Sequence, residues 1–225
     1  MKNTAKERIV IVGSSGHSIV AMDAAVRQGC YEVVGWLESF KPAGQMVAGL
    51  PILGHPDQLP ALMKQHGFRK GLLGISDNWI RREVCNKMLT AVPGFEFVTI
   101  IHPSSAVATS ARIGKGSLIL AGAIVNSGCT VGEHCIINTK ASLDHDSQMK
   151  PFSSMLPGVT TGGNVVIGEC SCICIGSSVS HRVTIGEHSV VGAGSAVLTD
   201  IPAFVLAYGV PAKVVRSRTK GEKHF

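Results

Sequence analysis

The chain has 225 residues, 45% hydrophobic and 16% charged, with a mean hydropathy of +0.27; that is enough apolar material for a real core and too little charge for a disordered tail. No apolar run approaches the ~18 residues of a membrane span, and the first 13 residues carry one short apolar stretch without a small-residue cleavage site, so a cytoplasmic protein is expected. Net charge is +6, from 21 Lys and Arg against 15 Asp and Glu, but two Trp, two Tyr and the lack of a recognised motif argue against nucleic acid as a partner.

RIVIVG at 8–13 reads as a buried strand, Ser18 to Gly29 as a helix ended by glycine, and EVVGWL at 32–37 as a second strand. Pro56 to His66 reads as a helix, GLLGIS at 71–76 as a third strand, Asn78 to Thr90 as a helix and FEFVTII at 95–101 as a last strand. Such alternation predicts a small parallel α/β domain, Rossmann-like, over residues 1–102. The first strand leads into GSSGHS, Gly13 to Ser18, which is short of the full GxGxxG fingerprint. A glycine-rich turn at a helix N-terminus presents free N–H groups to a phosphate, and it serves equally as a plain β-to-α turn.

From Ile101 the period changes. Every sixth residue through Val197 is aliphatic except Thr161, seventeen positions in one frame, and from Val107 on the residue two before each is small or Val. A period of six fits neither a helix nor simple alternation. It fits short strands joined by tight turns, each sending one large and one small side chain inward, with three strands closing an 18-residue triangular coil and coils stacked at ~4.8 Å. Gly114, Gly132, Gly162, Gly168, Gly186 and Gly192 directly follow the large inward residue and are expected to supply the permissive turn conformations. Seventeen hexads make between five and six coils, in a domain placed at residues 103–225 with the basic tail at its end and the switch near His102-Pro103. An ordinary β-sandwich would not keep one frame for so long.

Seven cysteines, odd in number and irregularly spaced, imply reduced thiols. Cys170, Cys172 and Cys174 alternate and would share one face of a strand, yet no Cys/His set completes a tetrahedral site, so no metal is expected. Of nine histidines only His145 lies between two acids, Asp144-His145-Asp146, where a carboxylate can orient and strengthen an imidazole base. His181 lies two coils on in the same column but adjoins no acid, and Gly163 between them leaves room for a ligand. Residues 213–225 hold Lys213, Arg216, Arg218, Lys220 and Lys223 against Glu222, either a solvated terminus or a contact for a polyanionic ligand.

This arrangement resembles the hexapeptide-repeat acetyltransferases of nucleotide-activated amino sugars, the PglD/NeuD-like family. The resemblance rests on the GSSGH turn (13–17), the Asn138-Thr139-x(4)-Asp144-His145-Asp146 segment and the GVPAK ending (209–213). It implies a left-handed parallel β-helix after the α/β domain, a homotrimer with active sites between subunits, and acetyl-CoA as co-substrate. The implied reaction is N-acetylation of a 4-amino-4,6-dideoxy sugar for bacterial surface glycans, by direct transfer with His145 as general base and Asp146 as its partner. The resemblance puts the nucleotide sugar on Ser15, Gly16, His17, Glu38, Ser39 and Ser76, and the acyl donor on Ile175 and Ala193, which share a column; Gly163 completes the expected cofactor set. The chain departs from the family pattern at Glu38-Ser39 (two Asp are common), Ser76-Asp77-Asn78 (Gly-Asn-Asn), Asp146 (Glu) and Ser154 (His). O-acetylation of a sugar such as sialic acid is an alternative, as is a non-catalytic nucleotide-sugar-binding solenoid.

Overall fold

The computed structural model describes residues 6–223. Its N-terminal sheet contains β1 (Glu7–Val12), β2 (Tyr31–Leu37), β3 (Met46–Val47), β4 (Leu50–Gly54), β5 (Lys70–Leu73) and β6 (Glu96–Phe97), in the order β3-β4-β2-β1-β5-β6. Neighbours are parallel except β3 and β4. Helices α1 (Gly16–Gln28), α2 (Leu59–His66) and α3 (Asn78–Ala91) connect them. The chain leaves β1 toward β2 on one side and reaches β5 on the other, so the carboxyl ends of β1 and β5 open a crevice of the kind in which such sheets bind ligands.

Three local differences from the sequence reading have plain causes. Helix α1 starts at Gly16 rather than Ser18, because Ser15 takes the N-cap position and donates its N–H to Ser18 Oγ at 3.0 Å. Strand β4 escaped notice because Pro51 interrupts it, yet Ile52 N still reaches Gln45 O at 2.9 Å. The strand expected at 95–101 is two: Val98 N donates to Gly71 O, whereas Ile100 N donates to Ser117 O. The chain changes partners there, so β6 belongs to the sheet and β7 (Ile100–Ile101) opens the solenoid.

From β7 to β23 (Ala196–Val197), seventeen two-residue strands stack in parallel as the three sides of a left-handed β-helix. Register repeats at 18 residues, Leu118 pairing with both Ile100 and Ile136. The large inward residues from Ile119 to Val197 are buried in one continuous column, each aliphatic contributing about 1.5–3 kcal/mol. Inward serines tie successive coils together. Ser117, Ser171 and Ser177 accept an N–H from Cys135, Ser189 and Ser195 and donate to the carbonyls of Gly132, Gly186 and Gly192, so their buried hydroxyls are satisfied.

The glycines after the large inward residues are not the left-handed ones. Left-handed backbone falls two positions later, at Gly116, Gly128 and Gly176 and equally at His134, Asp146 and Asn164. The earlier glycines answer to close approach: a Cβ at Gly114 would stand 2.6 Å from Glu133 N, and one at Gly168 would stand 2.5 Å from Glu187 N. The cysteine expectation also needs correction. Cys172 and Cys174 flank inward Ile173 and share a small buried cluster with Leu156 and Val190, while Cys170 sits at the preceding corner with φ 55°.

The basic terminus folds back on the molecule. Strand β24 (Val205–Gly209) lies beside the last coil and pairs antiparallel with β25 (Ala212–Ser217). Arg216 and Arg218 both reach Glu222 Oε1, at 2.6 and 3.2 Å, and Lys220 Nζ lies 5.5 Å from the ring centre of Trp79 on α3.

The three sides are dressed unequally. The first side, through Ile100, Leu118 and Ile136, packs in one apolar cluster with Ala21, Ala24 and Ala25 of α1, and further along Ser154 meets Asn78 of α3. The outward residues Ile124, Thr160 and Ser178 on the second side and Thr130, Gln148 and Thr184 on the third are exposed. Among the described residues no helix is long and apolar enough to cross a membrane.

Candidate active site

His145 stands on the corner joining the second side to the third, in a column with Ser127, Gly163 and His181. Asp146 N donates to Ser127 O at 2.9 Å, Asn164 N to His145 O at 2.8 Å, and Arg182 N to Gly163 O at 2.9 Å. The imidazole is about half exposed, and its Nδ1 lies 2.9 Å from Asp146 Oδ2. With Nδ1–H engaged by the carboxylate, Nε2 carries the free lone pair. That hydrogen bond raises the pKa above 6.5; partial desolvation opposes it, and the charges of Asp144 and Asp146 add to it. The absence of a side chain at Gly163 makes room for the imidazole itself, since a Cβ there would collide with Cε1 and Nε2 of His145.

The turn is pinned across three coils. Asp144 Oδ1 accepts the N–H of His145 at 2.8 Å and Nδ2 of Asn126 at 2.7 Å. Asp144 N donates to Thr161 Oγ1 at 3.0 Å. In neighbouring coils of this side the equivalent N–H takes a backbone carbonyl: Asn126 to Leu143 at 3.0 Å, Gly162 to Val179 at 2.8 Å. Thr161, the exception in the aliphatic column, replaces that carbonyl with a hydroxyl beside His145. Sequence reading missed Asn126 and Thr161, although the break in the column was the available signal for the second.

At the crevice of the N-terminal sheet lies a cavity of about 410 Å³, within the range of small-molecule sites. Ser15, Glu38, Ser39 and Ser76 line it, with Gly13, Ser14, Phe40, Ile80 and Val84; Gly16 and His17 lie outside its wall. Glu38 Oε2 accepts Ser14 N and Oγ at 3.0 and 2.6 Å, while Oε1 accepts Ser39 N and Phe40 N at 2.8 and 3.2 Å. Partial burial works against its charge, but the bonds from Ser14, Phe40 and Ser39 prevail and hold the carboxyl below its usual range. His17 is pushed down to about 4 by burial and the nearby Arg81 charge, and its Nε2 has no hydrogen-bond partner among the described residues.

Arg81, 1% exposed, joins this unit to the solenoid. It donates to Ile75 O and Ser76 O on the cavity loop and to His134 O and Phe152 O on the coil. Its neighbour Asn78 takes Ser171 O at 2.9 Å, and Ser154 Oγ donates to Asn78 Oδ1 at 2.6 Å, so Ser154 is enclosed between the two units.

The structure does not bring the two halves of the expected site together within one chain. Arg81 and Asn78 fix the cavity against the first side and its corner with the third, whereas the turn bearing His145 is the corner between the second and third sides. Ile175 and Ala193 share a column, Gly194 N donating to Ile175 O at 2.9 Å, on the corner between the first and second sides. Both are exposed. Of the basic residues at and after the end of GVPAK, Lys213 is exposed and Arg216 is occupied by Glu222. Cys85 Sγ lies 3.3 Å from His134 Nε2, but burial pushes the thiol up to about 12 and, with the Arg81 charge, the imidazole down to about 4. That buried dyad is neutral and unreactive.

Residues 8–88 match the family described as the PglD N-terminal domain. The whole fold is similar to PerB from Caulobacter crescentus, solved in complex with CoA and GDP-perosamine, at 33% identity and a TM-score of 0.87 over 94% of this chain and 99% of that one. A GDP-perosamine N-acetyltransferase from Escherichia coli O157:H7 is 27% identical over 180 residues, covering 77% of this chain and 79% of that protein. The galactoside O-acetyltransferase of Escherichia coli K12 is 46% identical over 67 residues, and this chain spans only 30% of that relative's length.

Proposed function

Because this chain belongs to the PglD/NeuD-like sugar acetyltransferases, we propose that it moves the acetyl group of acetyl-CoA to the amine of a nucleotide-activated amino sugar. The carrying observation is the exposed imidazole of His145, held at Nδ1 by Asp146 with Nε2 free, on an uncovered corner of the β-helix. Likeness to proteins named for GDP-perosamine favours a GDP-linked 4-amino-4,6-dideoxy sugar, and the role is surface-glycan synthesis in the cytoplasm.

The sugar amine attacks the thioester carbonyl and its proton passes to His145 Nε2. The tetrahedral intermediate then expels CoA thiolate, which takes up a proton, leaving the acetamido sugar and CoA. Asp146 orients the ring and stabilises the imidazolium; no covalent acyl-enzyme forms, and the buried thiols take no part. Because cavity and base occupy different corners of one chain, the working site combines the cavity of one subunit with His145 of its neighbour in a homotrimer, with Ile175 and Ala193 beside the acyl donor.

Thiol release from acetyl-CoA tests the reading, with GDP-linked and UDP-linked 4-amino-4,6-dideoxy sugars as acceptors. Release with an amino sugar that falls by two orders of magnitude or more in His145→Ala supports it. Release with the hydroxyl analogue alone would favour O-acetylation, which the match to the galactoside O-acetyltransferase segment keeps in view. No release with either points to a binding module.

A further inference from the structure

Phe40 is 95% exposed at the rim of the cavity. An exposed apolar side chain by itself needs no explanation, but the loop that carries this one is built. Glu38 accepts the N–H of Phe40 at 3.2 Å while anchored to Ser14. On the other flank Lys41 Nζ donates to Ser14 Oγ at 2.8 Å and to Ser14 O at 3.1 Å. Glu38 and Lys41, on either side of the Phe40 segment, are thus tied to the glycine-rich turn, and among the described residues the ring is held out in the open.

The cavity it borders has two chemically distinct ends. Phe40, Pro56, Ile80 and Val84 give an apolar wall, and Ser14 and Ser15, at the start of α1, give a polar part that Glu38, Ser76 and Asp77 extend. A matching occupant has a flat apolar part and an anionic part. Pro56, Val84 and Ser39 also line an adjoining hollow of about 180 Å³ that runs along α3 to Met88, with His55 and the Asp57–Lys87 ion pair at its edge. Among the described residues the Glu38 carboxylate accepts from Ser14, Ser39 and Phe40 of its own chain, so it shapes the loop, and contact with a planar group falls to the ring beside it.

Resting on the nucleotide-sugar reading above, we propose that Phe40 is the platform on which the nucleobase stacks, a purine better than a pyrimidine because its larger face covers more of the ring.

Calorimetric titration of the full chain with GDP, UDP and ribose 5-phosphate tests this, in wild type, Phe40→Ala and Phe40→Trp. Phe40→Ala is expected to weaken GDP about tenfold or more, to weaken UDP less, and to leave ribose 5-phosphate and the melting temperature unchanged. Phe40→Trp is expected to restore GDP affinity, with indole emission quenched as GDP saturates. Equal GDP affinity in wild type and Phe40→Ala overturns the stacking role while leaving the nucleotide reading intact. Failure of wild type to bind either nucleotide overturns both.

Discussion

Asp146 occupies a left-handed corner position, φ 59°, a conformation that short polar side chains such as Asp tolerate well. That backbone swings its carboxylate back over the preceding residue, onto Nδ1 of His145. The consequence has a definite sign. A general base must be neutral, and the Asp146 bond raises the His145 pKa above 6.5, so turnover is expected to rise with pH through a value above 6.5. Asp146→Asn removes the largest favourable contribution: the acidic limb of the rate profile should move to lower pH while the plateau drops about tenfold or more. A variant with an unmoved limb and plateau would remove Asp146 from the mechanism. The acid–His–acid run was readable in sequence because the residues adjoin. The meaning of Gly163 was not, since the group it makes room for is 18 residues away and meets it only through coil stacking.

In the β-helix, the irregular position is the informative one. A column of aliphatics could continue through residue 161 with a Val, and the ladder would then close as it does between Asn126 and Leu143. Thr161 gives up a buried methyl and turns a hydroxyl onto Asp144 N at 3.0 Å, setting the height of the turn that carries His145. Thr161→Val is expected to keep or raise the melting temperature, because it removes a polar group from the core, while kcat falls about tenfold or more through a displaced base. Thr161→Ser, which retains the hydroxyl, should preserve kcat. Loss of stability without loss of kcat would make the threonine merely structural. The period of six revealed the strands, and with them the exception. It gave no sense of the exception's purpose, because a side-chain-to-backbone bond between coils leaves no periodic trace.

Across the molecule, the decisive contact is the one Arg81 makes. A buried guanidinium bonded to carbonyls of the cavity loop and of two successive coils seats the α/β unit on the first side and leaves the second and third sides open. If catalysis then needs a neighbour's His145, two defective chains should rescue each other. His145→Ala keeps the cavity, and Ser15→Trp, which fills the cavity, keeps the base. Each alone should be inactive; refolded together in equal amounts, they should recover about a quarter of wild-type activity, since each site draws one half from each of two adjoining subunits at random. No recovery in mixed oligomers would place both halves in one chain.

Sequence alone determined the stacked short strands of the solenoid, the larger N-terminal strands and helices though not β3 and β4, and the acid–His–acid run, because each is written in local periodicity or in neighbouring residues. It also read the glycines after the inward column as turn formers, where at Gly114, Gly132, Gly162, Gly168 and Gly186 the constraint is the backbone that follows one coil on, and it took the basic terminus as a possible free tail. Tertiary structure decided those points and one larger one: which side of the prism the α/β unit covers. That choice rests on the buried bonds of Asn78 and Arg81 to residues 53–93 positions away, and no period or motif encodes contacts made across such a separation.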